Sequence, residues 1–488
     1  MLRADLAEAV EISIGHAPCP VESKERSNEL LRRADCRERG PNFKVRKKMR
    51  ARRITTVLAA AGLALVAAGL AETPLASASA TRSTGGAGTC PSPRWVAAWA
   101  ASPTDGSVPF DASLGTLPLQ LKNQTVRMVV TPHMGGSSTR FHLSNRFGGG
   151  PLTFTHVTVA PQGAGAAIGT PVTVTFGGAT SVTVPGGQDI VSDPVAVNVS
   201  AFSPLSVSIY LAGSTSALTK HWNANATSYY ANANTGDLTT QTSGSGFPNK
   251  SLSWLYVDGV DVMANASSVV AFGDSITDGF VGGGLFSIPA DKSVADQNGR
   301  YPDDLQRRVT ASGLPLSVVN AGIGSNQLLG SLGLMDGPSG VSRFQADALN
   351  LPAVSGVLVL EGINDLGLGN NVTPQQLEDG YTQLIGKTHD AGHKIWLGTI
   401  TPASNALVDG SLTAPNSEKY REQVNAWIRN QHLADGVVDF DAALRDPAHP
   451  TQLLPAYASV DNLHPSLAGY QKMADSIPLD LLAAATCG

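Results

Sequence analysis

The sequence lacks an excess of either charge. Its 488 residues carry a formal net charge of −5, and charged side chains make up only 15% of them. That balance gives no electrostatic case for nucleic acid or an anionic membrane as partner. The motifs of several chemistries are missing as well. No H-E-x-x-H zinc pair occurs. The G-x-S-x-G elbow fails at Gly273-Asp-Ser275-Ile-Thr277, where threonine stands in place of the last glycine. Gly386-Lys-Thr388 ends like a phosphate loop without the earlier glycine and reads as mid-helix. His389 and His393 have a metal-capable spacing but no third ligand in view, so they read as a solvated helix end. Neither a metal nor a cofactor is expected.

Cysteine is scarce too, with four in the chain. Cys19 and Cys36 fall in a segment set apart below. Cys90 and Cys487 sit near the two ends of the remainder, and an oxidising compartment would pair them. Two unpaired thiols are the alternative, and neither cysteine resembles a nucleophile or metal ligand. The compartment follows from the N-terminal region. A basic stretch, Lys44 to Arg53, precedes the apolar run Ile54 to Leu70 and the small-residue site Ala78-Ser-Ala80. That order is a secretory signal, expected over 49–80 with translation starting at Met49 and 1–48 a non-native extension. A membrane anchor is the rival, but the run is at the short end for spanning and meets a cleavage site at once. The expectation is a secreted, extracellular monomer with no stable membrane insertion.

With 42% hydrophobic residues, the rest reads as a packed globular chain of two domains. Over 91–262 the apolar residues alternate, as in Val126, Met128 and Val130, Phe141 and Leu143, and Leu205, Val207, Ile209 and Leu211. Glycine and proline punctuate these runs, which predicts an all-β sandwich-like domain. Over 266–488 short apolar runs alternate with helical patterns. Strands are expected at Val269–Phe272, Leu316–Asn320, Val357–Glu361, Lys394–Thr399 and Val437–Phe440. Helices are expected at Tyr301–Ala311, Pro374–Ala391, Ser417–Arg429 and from Pro465 onward. That grammar predicts an α/β fold, a doubly wound and mostly parallel sheet.

Chemistry-bearing residues cluster at the predicted strand ends. Ser275 follows the strand Val269–Phe272 through Gly273 and Asp274, where open α/β sheets place their sites. Asp274 and Asp278 read as tying the turn down through backbone hydrogen bonds. Asp461 and His464 stand three apart before a helix, close enough for the carboxylate to orient the imidazole. Asn364 follows the strand ending at Glu361-Gly362 and reads alone as an Asx-turn, or as a neutral donor to an oxyanion. Asn320-Ala-Gly-Ile-Gly324-Ser325-Asn326 follows another strand, with glycines that let backbone N–H groups approach a ligand.

Together these four blocks resemble the SGNH (GDSL-type) hydrolases over roughly residues 268–478. The leading region, with Trp95-Val-Ala-Ala-Trp99 and Arg140 to Asn145, resembles the N-terminal domain of a secreted bacterial branch of that family. The resemblance implies Ser275 as nucleophile, His464 as general base and then acid, and Asp461 as its orienter. It implies an oxyanion hole of the Ser275 N–H, Asn364 and a backbone N–H of the second block, with Asp274 and Gly362 supporting. Where that block usually has glycine, this chain has Ser325, preceded by Gly324. A left-handed backbone at Ser325 would cost about 1–2 kcal/mol; alternatively Gly324 donates.

The function expected is a secreted serine esterase acting on a lipid or an acylated carbohydrate, with carbohydrate O-deacetylase as the alternative reading. A non-catalytic glycan-binding surface protein is the reading of another class. Gly279 to Phe286 is a candidate apolar lid. Trp222, Tyr229 and Tyr230 offer a sugar platform if exposed, and core packing if not.

Overall fold

The alternating runs of the leading region form strands β1 (Arg94–Ala100), β2 (Lys122–Val130), β3 (Thr139–Ser144), β4 (His156–Pro161), β5 (Leu205–Ser214), β6 (Thr219–His221) and β7 (Val257–Ala264). The computed structural model describes residues 90–487 other than 216, 334 and 368–371. The extension at 1–48, the signal at 49–80, Met49, Cys19 and Cys36 lie outside the described residues. One antiparallel sheet runs β1, β7, β3 and Asp189–Val191; a second runs Asn249–Ser251, Ser228–Tyr230, β2, β5, β4 and Val172–Val174. Val126, Met128 and Val130 from one sheet share a core with Phe141, Leu143, Val260 and Val262 from the other. Period-two burial on facing sheets is what makes a sandwich. In β1, Ala98 and Trp99 join this core while Ala97 and Ala100 join the core of the following region. One strand thus serves both.

The second region is built on β8 (Ser267–Gly273), a hairpin of β9 (Gly282–Gly284) and β10 (Ser287–Ala290), then β11 (Leu316–Gly322), β12 (Val354–Leu360), β13 (Lys394–Gly398) and β14 (Gly436–Val438). Its sheet runs β11, β8, β12, β13, β14, and every pair is parallel. Every residue of β8 is buried, as a strand covered on both faces must be. The helices are α1 (Ser275–Asp278), α2 (Tyr301–Ser312), α3 (Gly340–Phe344), α4 (Ile363–Leu366), α5 (Pro374–Asp390), α6 (Ser417–Asn430), α7 (Phe440–Leu444), α8 (Leu467–Ser476) and α9 (Leu479–Ala483). Helix α2 packs on α8, and α5 on α6. Counted along the chain, the strand order is 2-1-3-4-5. The order reverses beside β8, so a crevice opens beyond the ends of β8 and β12.

Local chemistry sets the element ends. Helix α5 starts at Pro374 because Thr373 caps it and Gln376 completes a capping box. The last long helix differs from expectation. It begins at Leu467, not Pro465, because the Ser466 hydroxyl accepts from Gly469 N and takes the N-cap position. Cys90 and Cys487 form a disulfide with Cα atoms 5.1 Å apart, closing the described chain end to end. Sandwich and sheet belong to one compact unit. Between them, His133 meets Asp303 at 2.8 Å and the Val318 carbonyl at 2.6 Å. Among the described residues, no helix is long and apolar enough to cross a membrane.

Candidate active site

Strand β8 ends at Gly273, and Asp274 caps α1 by accepting from Ile276 N at 2.9 Å. Ser275 therefore stands at the first position of a single helical turn, beyond the carboxyl end of the sheet. Its Oγ lies 2.8 Å from His464 Nε2. His464 Nδ1 lies 2.7 Å from Asp461 Oδ2, and a carboxylate there only accepts, so Nδ1 carries the proton and Nε2 can take the serine's. The other oxygen, Oδ1, accepts from Ser459 Oγ, Leu463 N and His464 N at 2.6, 3.0 and 3.0 Å. Burial works against this charge, but the His464 ring and these hydrogen bonds outweigh it and hold Asp461 well below the usual carboxylate range. Ser275, Asp461 and His464, spread over 189 residues, meet in one buried line.

Asn364 lies in α4 just past β12, on the other side of the crevice, and its Nδ2 donates to Asn326 O at 2.7 Å. Gly362 permits the turn: its φ is 114°, and a Cβ there would lie 2.9 Å from the Tyr381 hydroxyl. Asn364, Gly324 and Ser325 line the same cavity as Ser275 and His464. Its volume is about 100 Å³, and its other walls include Trp222, Phe280, Phe286, Ile288, Val408 and Leu463. Ser325 has φ +64°, the left-handed backbone that favours glycine. Ser325→Gly is therefore expected to raise stability by about 0.5–1 kcal/mol in a denaturant melt, the relief of strain being partly offset by a freer unfolded chain.

One sequence reading needs correction. Asp278 does not tie the turn through backbone donors: its carboxylate meets the buried ring of His221, a sandwich residue, at 3.0 Å. Trp222 and Tyr229 are buried at 2% and 7% exposure and Tyr230 is half-buried, in keeping with the core-packing reading of these aromatics, and Trp222 also lines the cavity. The segment Gly279 to Phe286 enters the hairpin of β9 and β10, whose tip exposes Leu285 and Phe286. His389 meets Asp435 at 2.9 Å on an exposed helix end.

Sequence reasoning missed Arg343. Its buried guanidinium donates to Gly273 O at 2.8 Å, Ala321 O at 2.8 Å and Asn326 Oδ1 at 2.7 Å, joining the first block to the second. It also stands 3.6 Å from the buried Glu361 carboxylate. No local pattern signals such a hub, because its partners lie on three separate strand ends. Burial and nearby carboxylates push Glu361 far above its usual value, and burial pushes Asp274 up to about 7. A folded state that holds a proton the unfolded state has lost becomes less stable as pH rises through the ordinary carboxylate range. Glu361→Gln should thus melt with wild type at pH 4 and above it at pH 8, which thermal scans at both values would check.

Residues 271–472 match the GDSL-like lipase/acylhydrolase family. This part of the chain belongs to that family. The GDSL-like domain begins within β8 and ends within α8, so it holds Ser275, Asn364, Asp461 and His464. No curated protein sequence matches the chain. Among solved structures, it is similar to the aryl esterase of M. smegmatis, at 15% identity over 45% of this chain and 97% of that one, with a TM-score of 0.36. The carbohydrate acetylesterase Est24 of Sinorhizobium meliloti is 15% identical over 45% of this chain and 99% of its own, with a TM-score of 0.37. A family two carbohydrate esterase of Clostridium thermocellum is 15% identical over 75% of this chain and 92% of its own, with a TM-score of 0.33. At these identities and scores none of the three bears on the substrate of the GDSL-like domain.

Proposed function

We propose that the protein is an exported serine esterase that hydrolyses carboxylic esters through an acyl-enzyme. The observation that carries this reading is the unbroken line from Ser275 Oγ to His464 and Asp461 at 2.8 and 2.7 Å, opening on a cavity. In this mechanism Ser275 attacks the ester carbonyl as His464 Nε2 takes its proton. The imidazolium, stabilised by Asp461, then gives that proton to the leaving alcohol. Water repeats the cycle in reverse and frees the acid. The Ser275 N–H, the Asn364 amide and a backbone N–H at Gly324 or Ser325 receive the oxyanion.

The apolar walls at Phe280, Phe286, Ile288, Val408 and Leu463 support an acyl group as occupant. A fluorophosphonate is expected to label Ser275 alone, located by peptide mass, and labelling elsewhere would refute the assignment. Aryl esters of increasing acyl length, run beside acetylated xylan, separate the substrate classes. Activity on chains longer than acetyl supports the esterase reading, while activity confined to acetyl groups on the polysaccharide would make the protein a carbohydrate deacetylase.

A further inference from the structure

The one-turn helix that carries Ser275 is gripped from the sandwich. His221, the last residue of β6, places Nε2 3.0 Å from Asp278 Oδ1 and 3.2 Å from the Asn223 carbonyl. Its Nδ1 lies 2.9 Å from the Ser102 carbonyl. A carbonyl can only accept, so each ring nitrogen must donate, and only the imidazolium carries two N–H groups. Four residues on, Asn225 Nδ2 donates to Gly279 O at 2.6 Å, directly after the turn. We propose that His221 is a positioning residue for the reaction: as an imidazolium paired with Asp278 it fixes the nucleophile turn, which makes the sandwich part of the catalytic apparatus. The proposal rests on Ser275 being the nucleophile.

The groups facing His221 are few. Asp278 comes from α1, the carbonyls of Ser102 and Asn223 from the sandwich, and the Trp254 ring lies 5.4 Å away. Arg300, a facing cation, caps α2, donates to Asp278 O at 2.8 Å and approaches Asp303 at 3.7 Å, and His133, bonded to Asp303 at 2.8 Å, lines the same cavity as His221. Burial and Arg300 oppose the imidazolium, but the Asp278 carboxylate and the hydrogen bonds outweigh them and raise its pKa above the usual histidine value. The pair therefore holds below that raised value and is lost as pH rises through it. A bare nitrogen would then face an oxygen, and the turn would loosen.

In the full-length protein, His221→Gln should lower kcat about tenfold to a hundredfold on a short aryl ester and leave KM within twofold. The wild-type alkaline limb of kcat should be absent from this variant. A variant with a lower melting temperature but unchanged kcat and alkaline limb would reduce His221 to a structural role and overturn the proposal. If the variant does not fold, the wild type still decides. The NMR titration of the His221 ring should show an imidazolium at pH 7, with a midpoint matching the alkaline limb; a neutral ring at pH 7 overturns the proposal. Failure of the wild type to be labelled at Ser275 would strike the esterase reading instead.

Discussion

Asp461→Asn should lower kcat by about four orders of magnitude while leaving KM within a few-fold, because it hands His464 the wrong tautomer. The reason lies in which oxygen is already occupied. Oδ1 of Asp461 receives Ser459 Oγ, Leu463 N and His464 N, three donors that need an oxygen. An asparagine in this place must keep its own oxygen there and turn its NH2 toward His464 Nδ1. That nitrogen then accepts, the ring proton moves to Nε2, and Nε2 points an N–H at Ser275 Oγ when it should receive one. Stopped-flow labelling by a phosphonate should slow in proportion, since acylation needs the same base. Stability should follow a definite pH course. The depressed pKa of Asp461 gives the wild type an advantage above the ordinary carboxylate range, lost as pH falls through the folded-state value. Melting curves of the two proteins should therefore separate at pH 7 and converge in strong acid. Near-wild-type turnover in Asp461→Asn would remove the carboxylate from the mechanism.

The alternation of strand and helix after Ser267 was legible because a parallel sheet needs near-continuous apolar strands between helices, and Val357 to Leu360 or Lys394 to Gly398 can hardly be read otherwise. Residues at the ends of those strands converge for a topological reason: β8 and β12 are neighbours in the sheet, so Ser275 and Asn364 must flank one crevice. Their meeting with His464 follows from no periodicity and was legible only through the joint pattern of four blocks. Other features had no local trace. His221 and Asp278 lie 57 residues apart in regions of different grammar, and each alone reads as an ordinary polar residue. Arg343 sits in a short helix, and two of its acceptors are backbone carbonyls that any sequence supplies. Trp222 read as core or platform and is in fact both buried and a wall of the cavity. What sequence reasoning misses here is docking between the sandwich and the sheet, set by shape and by buried charges paired between residues far apart in the chain.

Gly282→Ala should lower kcat about a hundredfold, although Gly282 carries no functional group. A Cβ at this residue of β9 would overlap the Asp461 carboxylate, at the oxygen that accepts from His464 Nδ1. The carboxylate is pinned by four hydrogen bonds, so the added methyl must displace either the strand or the acid. Overpacking of this kind costs about 1–3 kcal/mol, and a 1 Å shift of a catalytic group costs about two orders of magnitude in rate. Gly284, two residues on in the same strand, supplies the control. A Cβ there meets nothing nearer than the Ile288 carbonyl at 3.8 Å. Gly284→Ala shares the backbone-entropy effect of replacing glycine without the contact, so it should keep turnover within twofold. Parallel kcat and melting measurements on the two variants isolate the contact with Asp461. Equal turnover would mean that the carboxylate tolerates displacement and that His464 is oriented by something else. The expected inequality would give the glycine-rich segment a part in the site, since one of its glycines would then be the seat on which the Asp461 carboxylate rests.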